Sequence, residues 1–199
     1  LMAADILIYN AEKVPVGSDQ EPHLEVAREI ARKMNDQYFD GQLFFPEPMI
    51  FATDGHYVPG LTGEGKMSKS VEGSYVSLTD SLNTIGERLA KVPTDSGMGS
   101  AKPTEGPVAH LLKLVELIEG PEKKELYQQQ YVTVGIRYQD LKSELAEAIY
   151  HKLRPIQEER LIYEKDSRKA EYVLARGAER ARVIAQATVD KVREKLGLD

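Results

Sequence analysis

The sequence predicts a mixed α/β amino-terminal half followed by a mainly helical remainder. Short apolar runs bounded by proline and glycine recur in the first eighty or so residues, as in Val14-Pro15-Val16-Gly17 and Met49-Ile50-Phe51-Ala52. Between them, Leu24, Ala27, Ile30, Ala31 and Met34 recur at three- and four-residue steps, the period of an amphipathic helix. Beyond a stretch rich in proline and glycine from 93 to 107, helical spacing continues to the end of the chain.

Taken in order, Met2 to Tyr9 is an apolar run interrupted by Asp5, either the end of a buried helix or a buried strand. Val14-Pro15-Val16-Gly17 reads as an extended segment ending in a turn, and Ser18-Asp19 can cap the helix expected over Glu21 to Met34, with Pro22 tolerated in its first turn. Asn35 to Pro48 is loop-like, with Tyr38, Phe39, Phe44 and Phe45 available to pin it to a core. Tyr75 to Leu78 alternates weakly, and Thr79-Asp80 is the expected cap of a helix carrying Leu82, Ile85, Leu89 and Val92. The segment 93–107 is expected to be a flexible connection. Helices follow over Val108 to Glu119, Glu122 to Tyr131 and Gln139 to Asp166, with a kink expected at Pro155. A last helix is expected from about Ala178, with Gly197 placed to cap it. There is no internal repeat.

The bulk properties narrow the function classes. A chain of 199 residues can form one domain or two small ones, and 41% hydrophobic with 29% charged residues is a globular composition. The absence of cysteine excludes a disulfide framework and a thiolate zinc site. No apolar run is long enough to span a bilayer and the start lacks a secretory pattern, so a soluble chain is expected. With a formal net charge of -6, a nucleic-acid partner would be met by a local basic patch and not by the overall field. The chain opens Leu1-Met2-Ala3-Ala4-Asp5, as if in mid-domain.

The densest chemistry lies in Gly63-Glu64-Gly65-Lys66-Met67-Ser68-Lys69-Ser70. Two ammonium groups three residues apart, interleaved hydroxyls and preceding glycines suit a loop that handles phosphates. A solvated Gly/Ser/Lys loop has the same composition. In Val16-Gly17-Ser18-Asp19-Gln20, the glycine permits close approach to the backbone, and the Asp-Gln pair offers an acceptor and an amide suited to ribose hydroxyls and an amino group. An ordinary capped turn reads equally well there. Asp5 is either a capping or ion-paired aspartate or an acceptor for a ligand N–H, with Met2 lining the pocket. His23, His56, His110 and His151 show no metal-ligand spacing, and no metal site is expected. The basic residues of the tail, such as Arg160, Arg168, Arg180 and Lys191, alternate with acids and read chiefly as a solvated, ion-paired face.

The order Lys66-Met67-Ser68-Lys69-Ser70 resembles the second ATP-binding signature, KMSKS, of the class I aminoacyl-tRNA synthetases. Met2-Ala3-Ala4-Asp5-Ile6-Leu7, Val14-Pro15-Val16-Gly17-Ser18-Asp19-Gln20 and the closing blocks Leu153 to Arg160 and Gly177 to Arg182 resemble the bacterial-type tryptophanyl-tRNA synthetases. The resemblance covers nearly the whole chain and is weakest from about Val92 to Gln139.

The resemblance implies a partial Rossmann-type nucleotide-binding fold over 1–78, carrying the KMSKS loop, and a helical, anticodon-binding-type domain over 79–199. It implies ATP-dependent activation of tryptophan, with Mg2+ accompanying the nucleotide, and transfer to tRNA-Trp by a cytoplasmic homodimer. By position, Asp5 would accept the indole N–H, Met2 would help form its pocket, and Gln20 would lie near the amino-acid ammonium. Gly17 and Asp19 would face the ribose, Lys66 and Lys69 would hold the phosphates, and Met67 and Ser68 would help seat the nucleotide. The family's HIGH-like histidine signature is absent, so the expectation is a carboxy-terminal portion, inactive alone. Val71-Glu72-Gly73 also departs from the usual Asp-Pro-Asn-like continuation of the loop. Two alternatives remain open: a tyrosyl-tRNA synthetase, and a non-catalytic, synthetase-derived RNA-binding module.

Overall fold

The computed structural model describes residues 1–51 and 57–198, with Ser18 described by its backbone alone. Ala52 of the second expected strand and His56 lie outside the described residues. By its internal contacts the chain divides into two compact units, 1–56 with 166–199, and 57–165. The boundary expected at 78/79 falls within the second of these.

The first unit is built on a single crossover. Strand β1 (Lys13–Val14) pairs in parallel with β2 (Met49–Ile50), in the register Lys13 to Met49 and Val14 to Ile50. A parallel pair needs a long connection, and helix α2 (Glu21–Tyr38) supplies it. Its buried residues Leu24, Ala27, Ala31 and Asn35 fall on one stripe, as the apolar spacing predicts. The helix runs one turn beyond Met34 because Asn35 is used as a cap. Its buried side chain bonds Phe45 N–H and C=O and Phe44 N–H, while its own carbonyl accepts from Phe39 and Gly41. Phe39 and Phe44 stack on one another beside this cap, and Phe45 meets both rings edge to face.

The run Met2 to Tyr9, open between helix and strand from sequence, is helix α1 (Met2–Leu7). Adjacent Ile6 and Leu7 serve two small cores, Ile6 with Leu24 and Ala27, Leu7 with Ala31, Phe39 and Phe45. Helix α7 (Ser167–Leu196) returns to this unit, packing Val192 against the second core. It starts well before Ala178 and takes Gly177 in its interior. One glycine costs only about 1 kcal/mol in a helix, and the residues around it are good helix formers. Gly197 ends it at φ 66°, as expected.

The second unit is four helices: α3 (Leu82–Ala90), α4 (Gly106–Glu119), α5 (Pro121–Thr133) and α6 (Tyr138–Lys165). Ile85 and Leu89, Leu111 and Val115, Tyr127 and Tyr131, and Leu141 and Leu145 meet in its core. Helix α6 runs through Pro155 as one element. The cap of α3 is Ser81, which accepts from Thr84 N–H at 3.2 Å. Asp80 instead accepts from Ser77 N–H and pairs with Arg88. No strand forms at 75–78.

Segment 93–107 has no regular structure outside the first turn of α4, yet it is not loosely attached. Asp95 accepts from the hydroxyls of Tyr131 and Tyr138, each at 2.6 Å, and Ile136 N–H bonds Gly97 O at 2.7 Å. Gly97 has φ 84°, and a Cβ there would lie 2.5 Å from Ile136 O. This is a fitted loop, and glycine is what lets it fit.

Candidate functional site

The residues singled out from sequence fall in both units. In the first, the chain leaves the carboxyl end of β1 and enters α2 through Gly17 and a 3₁₀ turn, Ser18–Gln20. That is the position where open α/β sheets bind ligands. Gln20 N–H bonds Gly17 O at 3.0 Å, and the Gln20 amide donates to Asp19 at 2.8 Å, so carboxylate and amide form a joined pair. A Cβ at Gly17 would stand 2.6 Å from Asp19 Oδ1. Gly17 thus gives Asp19 room to fold back over the turn. Asp5 is exposed on α1, so its charge carries no burial cost, and Met2 is half-buried against Ile6, Leu24 and Ala27.

In the second unit, the Lys66 to Ser70 loop rests on a hydrogen-bonded frame. Pro59 and Lys66 form an antiparallel bridge, Met67 N–H bonds Val58 O at 2.8 Å, and Gly60 N–H bonds Gly65 O at 3.0 Å. Leu61 is buried, and Gly63, at φ 85°, lies so close to Pro107 that a Cβ would come within 2.6 Å of the ring. Met67 turns into the helical core while Lys66 and Lys69 stay exposed. Apolar residues therefore anchor the loop and leave the two ammonium-bearing side chains in solvent. Two exposed ammonium groups on such a loop can neutralise a polyanion.

Sequence reasoning missed Ser74. It is 1% exposed, and its hydroxyl lies 2.7 Å from Ser68 O and 2.8 Å from Val71 O while accepting from Ser68 N–H at 3.2 Å. The signal available was a lone serine after the Val71-Glu72-Gly73 departure, too ordinary to single out.

The other candidates have simpler uses. His23 and His151 are exposed, and among the described residues no group of three or more metal-ligating side chains comes together. In the tail, Arg154 pairs with Glu158, Arg160 with Glu164 and Arg168 with Asp166, the ion-paired face expected of it. Lys191 and Lys195 lie over the rings of Phe44 and Phe39.

The family model of the class I tRNA synthetases for W and Y matches residues 1–154. The chain belongs to this family. It is 42% identical to the tryptophan–tRNA ligase of Porphyromonas gingivalis over 202 residues, which is 99% of this chain and 60% of that one. A Helicobacter pylori tryptophan–tRNA ligase is also 42% identical, over 100% of this chain and 60% of its own length. The chain therefore spans about 60% of the length of these curated relatives. Among solved structures, the tryptophanyl-tRNA synthetase of Mycoplasma pneumoniae superposes with a TM-score of 0.80 at 27% identity, over 100% of this chain and 59% of that one. The Campylobacter jejuni enzyme, complexed with ADP and tryptophan, gives 0.73 at 29%, over 99% of this chain and 60% of that one. A Pyrococcus horikoshii tyrosyl-tRNA synthetase, at 22% identity and a TM-score of 0.62, shares the fold. The bacterial tryptophanyl resemblance read from sequence is borne out, and so is the partial Rossmann-type α/β fold with its helical excess.

Proposed function

We propose that the complete gene product carrying this chain is a tryptophan–tRNA ligase, activating tryptophan with ATP and transferring it to tRNA-Trp. The observation that carries the reading is the KMSKS loop, held on a bonded frame with Lys66 and Lys69 exposed, in a chain 42% identical to named tryptophan–tRNA ligases. In this reading Lys66 and Lys69 hold the ATP phosphates, and Lys69 stabilises the charge that develops on departing pyrophosphate. Met67 and Ser68 seat the nucleotide. Gly17 and Asp19 face its ribose, the joined Asp19–Gln20 pair supporting that role, and Gln20 lies near the ammonium of tryptophan. Asp5 accepts the indole N–H beside Met2, and its exposure supports access to a ligand.

Mg2+ would arrive on the nucleotide phosphates: the loop offers ammonium and hydroxyl groups, suited to phosphate and not to the ion. In the same reading the sheet-bearing residues 1–78 and the helical residues 79–199 divide nucleotide and anticodon binding, and the enzyme works as a cytoplasmic homodimer. No described helix is long and apolar enough to cross a membrane.

The test is amino-acid-dependent ATP–pyrophosphate exchange by the complete gene product. Exchange with tryptophan is expected, and Lys69→Ala should lower its kcat by roughly 10²–10³-fold, the cost of one group aimed at developing charge. Exchange with tyrosine in place of tryptophan would assign the other branch of the family. Tight tRNA binding without exchange would make the protein an RNA-binding module. The chain alone, without the histidine signature, is expected to give no exchange.

A further inference from the structure

Lys69 and Ser70 occupy the two central positions of a turn closed by Val71 N–H on Ser68 O at 3.2 Å. Such turns on exposed loops are held by little else, since a single bond between half-exposed groups is nearly balanced by water. Here a second device is present. The Ser74 hydroxyl sits inside the turn at 2.7 Å from Ser68 O and 2.8 Å from Val71 O, and Ser68 N–H points at it from 3.2 Å. A hydroxyl carries one proton and two lone pairs, so Oγ can donate to either carbonyl while accepting from the amide. With its proton on Val71 O it joins both ends of the turn, and with its proton on Ser68 O it holds Ser68 by both backbone groups.

The backbone of Ser74 extends the grip. Its N–H bonds Val71 O at 3.2 Å, and its C=O accepts from Leu61 N–H at 2.9 Å, with Leu61 anchored in the helical core. Gly73, at φ 76°, makes the reversal that turns Ser74 inward. The incoming arm, the signature turn and the outgoing arm therefore meet at one buried residue. Ser74 is among the few buried polar side chains of the described residues, with Asn35 and Thr188, and each of the three bonds backbone groups.

We infer that Ser74 is a positioning residue for the activation step, its hydroxyl fixing the turn that presents Lys69 to the phosphates. The inference rests on the tryptophan–tRNA ligase reading above. Ser74 touches no substrate; it acts through Ser68 and the turn. Losing the hydroxyl leaves Lys69 attached but lets its backbone wander, and a misplacement of about 1 Å costs about 10²-fold where a group must meet charge formed only in the transition state.

The experiment compares Ser74→Ala and Ser74→Thr in the complete gene product by tryptophan-dependent ATP–pyrophosphate exchange, and by amide hydrogen exchange resolved over 57–81 and over the helices α3 to α6. Ala is smaller and removes only the hydroxyl, whereas Thr keeps it. The expected result is a kcat for Ala lower by about 10–100-fold, an unchanged KM for tryptophan, and recovery of most of the rate by Thr. Amide exchange should rise at 68–71 and stay as it was in the helices. Wild-type kcat in the Ala variant overturns the inference, as does a loss of rate accompanied by lost protection throughout α3 to α6. Absence of tryptophan-dependent exchange in the unsubstituted enzyme overturns the function instead. The hydroxyl's grip on the turn is then judged by amide exchange, and an unchanged rate at 68–71 in the Ala variant overturns that as well.

Discussion

Asp95→Asn is the substitution that best tests how the second unit is held together. The carboxylate accepts from Tyr131 and Tyr138, each at 2.6 Å, and from Gly97 N–H at 2.8 Å. It thus joins α5, the start of α6 and the loop between α3 and α4. Hydrogen bonds to a charged acceptor contribute about 1.5–3 kcal/mol each, but Asp95 is an exposed residue and part of that is lost to solvent screening. Asparagine can still accept one hydroxyl. The net expectation is a loss of about 2 kcal/mol at pH 7, read by urea denaturation followed by circular dichroism at 222 nm.

The pH dependence sharpens the test. Burial raises the Asp95 carboxyl, but donation from Tyr131, Tyr138 and Gly97 N–H outweighs it and holds the group below its ordinary value of 3.8. The unfolded chain therefore takes up the proton first. The stabilisation is complete above 3.8 and is lost as pH falls through the lower, folded value, so the gap between wild type and variant should close on acidification. On the alkaline side, burial and Asp95 raise Tyr138, and the Asp95 bond followed by burial raises Tyr131. Their contribution is present below the ordinary 10.0 and declines as pH rises beyond it. A variant within about 0.5 kcal/mol of wild type at pH 7, the range of an ordinary surface change, would refute the reasoning. So would a gap that does not change between neutral and acid pH.

Two further substitutions probe the cores. Asn35→Ala removes the bonds to Phe44 and Phe45 and strands the buried Phe45 amide and carbonyl, so a loss of about 2–4 kcal/mol is expected. Asn35→Asp, which can accept but not donate, should fall between the two in the same urea titration. Leu145→Ala empties a position that is 0% exposed in the helical core, and should cost about 2–5 kcal/mol without altering the first unit's amide exchange.

The helices were legible because their signals are local. The three- and four-residue spacing of Leu24, Ala27 and Ala31, or of Leu141, Leu145 and Ile149, marks a face that must be buried wherever the helix packs. Boundaries were less so, because they depend on partners. Helix α2 reaches Tyr38 because Asn35 finds Phe45 across the loop, and Gly177 stays inside α7 because one weak residue does not end a long helix. The short run from Met2 to Tyr9 stayed ambiguous, since so few residues cannot distinguish a period of two from one of 3.6. Segment 93–107 read as a linker by composition, whereas Gly97 and Gly99 are fitted against Ile136 and Tyr131.

For the candidate site, the sequence by itself determined the residue types and their order: Gly17 with Asp19 and Gln20 between a strand and a helix, and the two lysines and two serines of the loop. An order of specified side chains is written directly in the chain, and it is enough to place the family. Only the tertiary structure decided how those groups are held. The Asp19–Gln20 bond joins two side chains, Gly63 lies against the Pro107 ring, and the buried Ser74 hydroxyl meets the Ser68 backbone. Burial and hydrogen bonding are properties of an assembled environment, and a serine that closes a loop from inside is spelled the same as one that faces water.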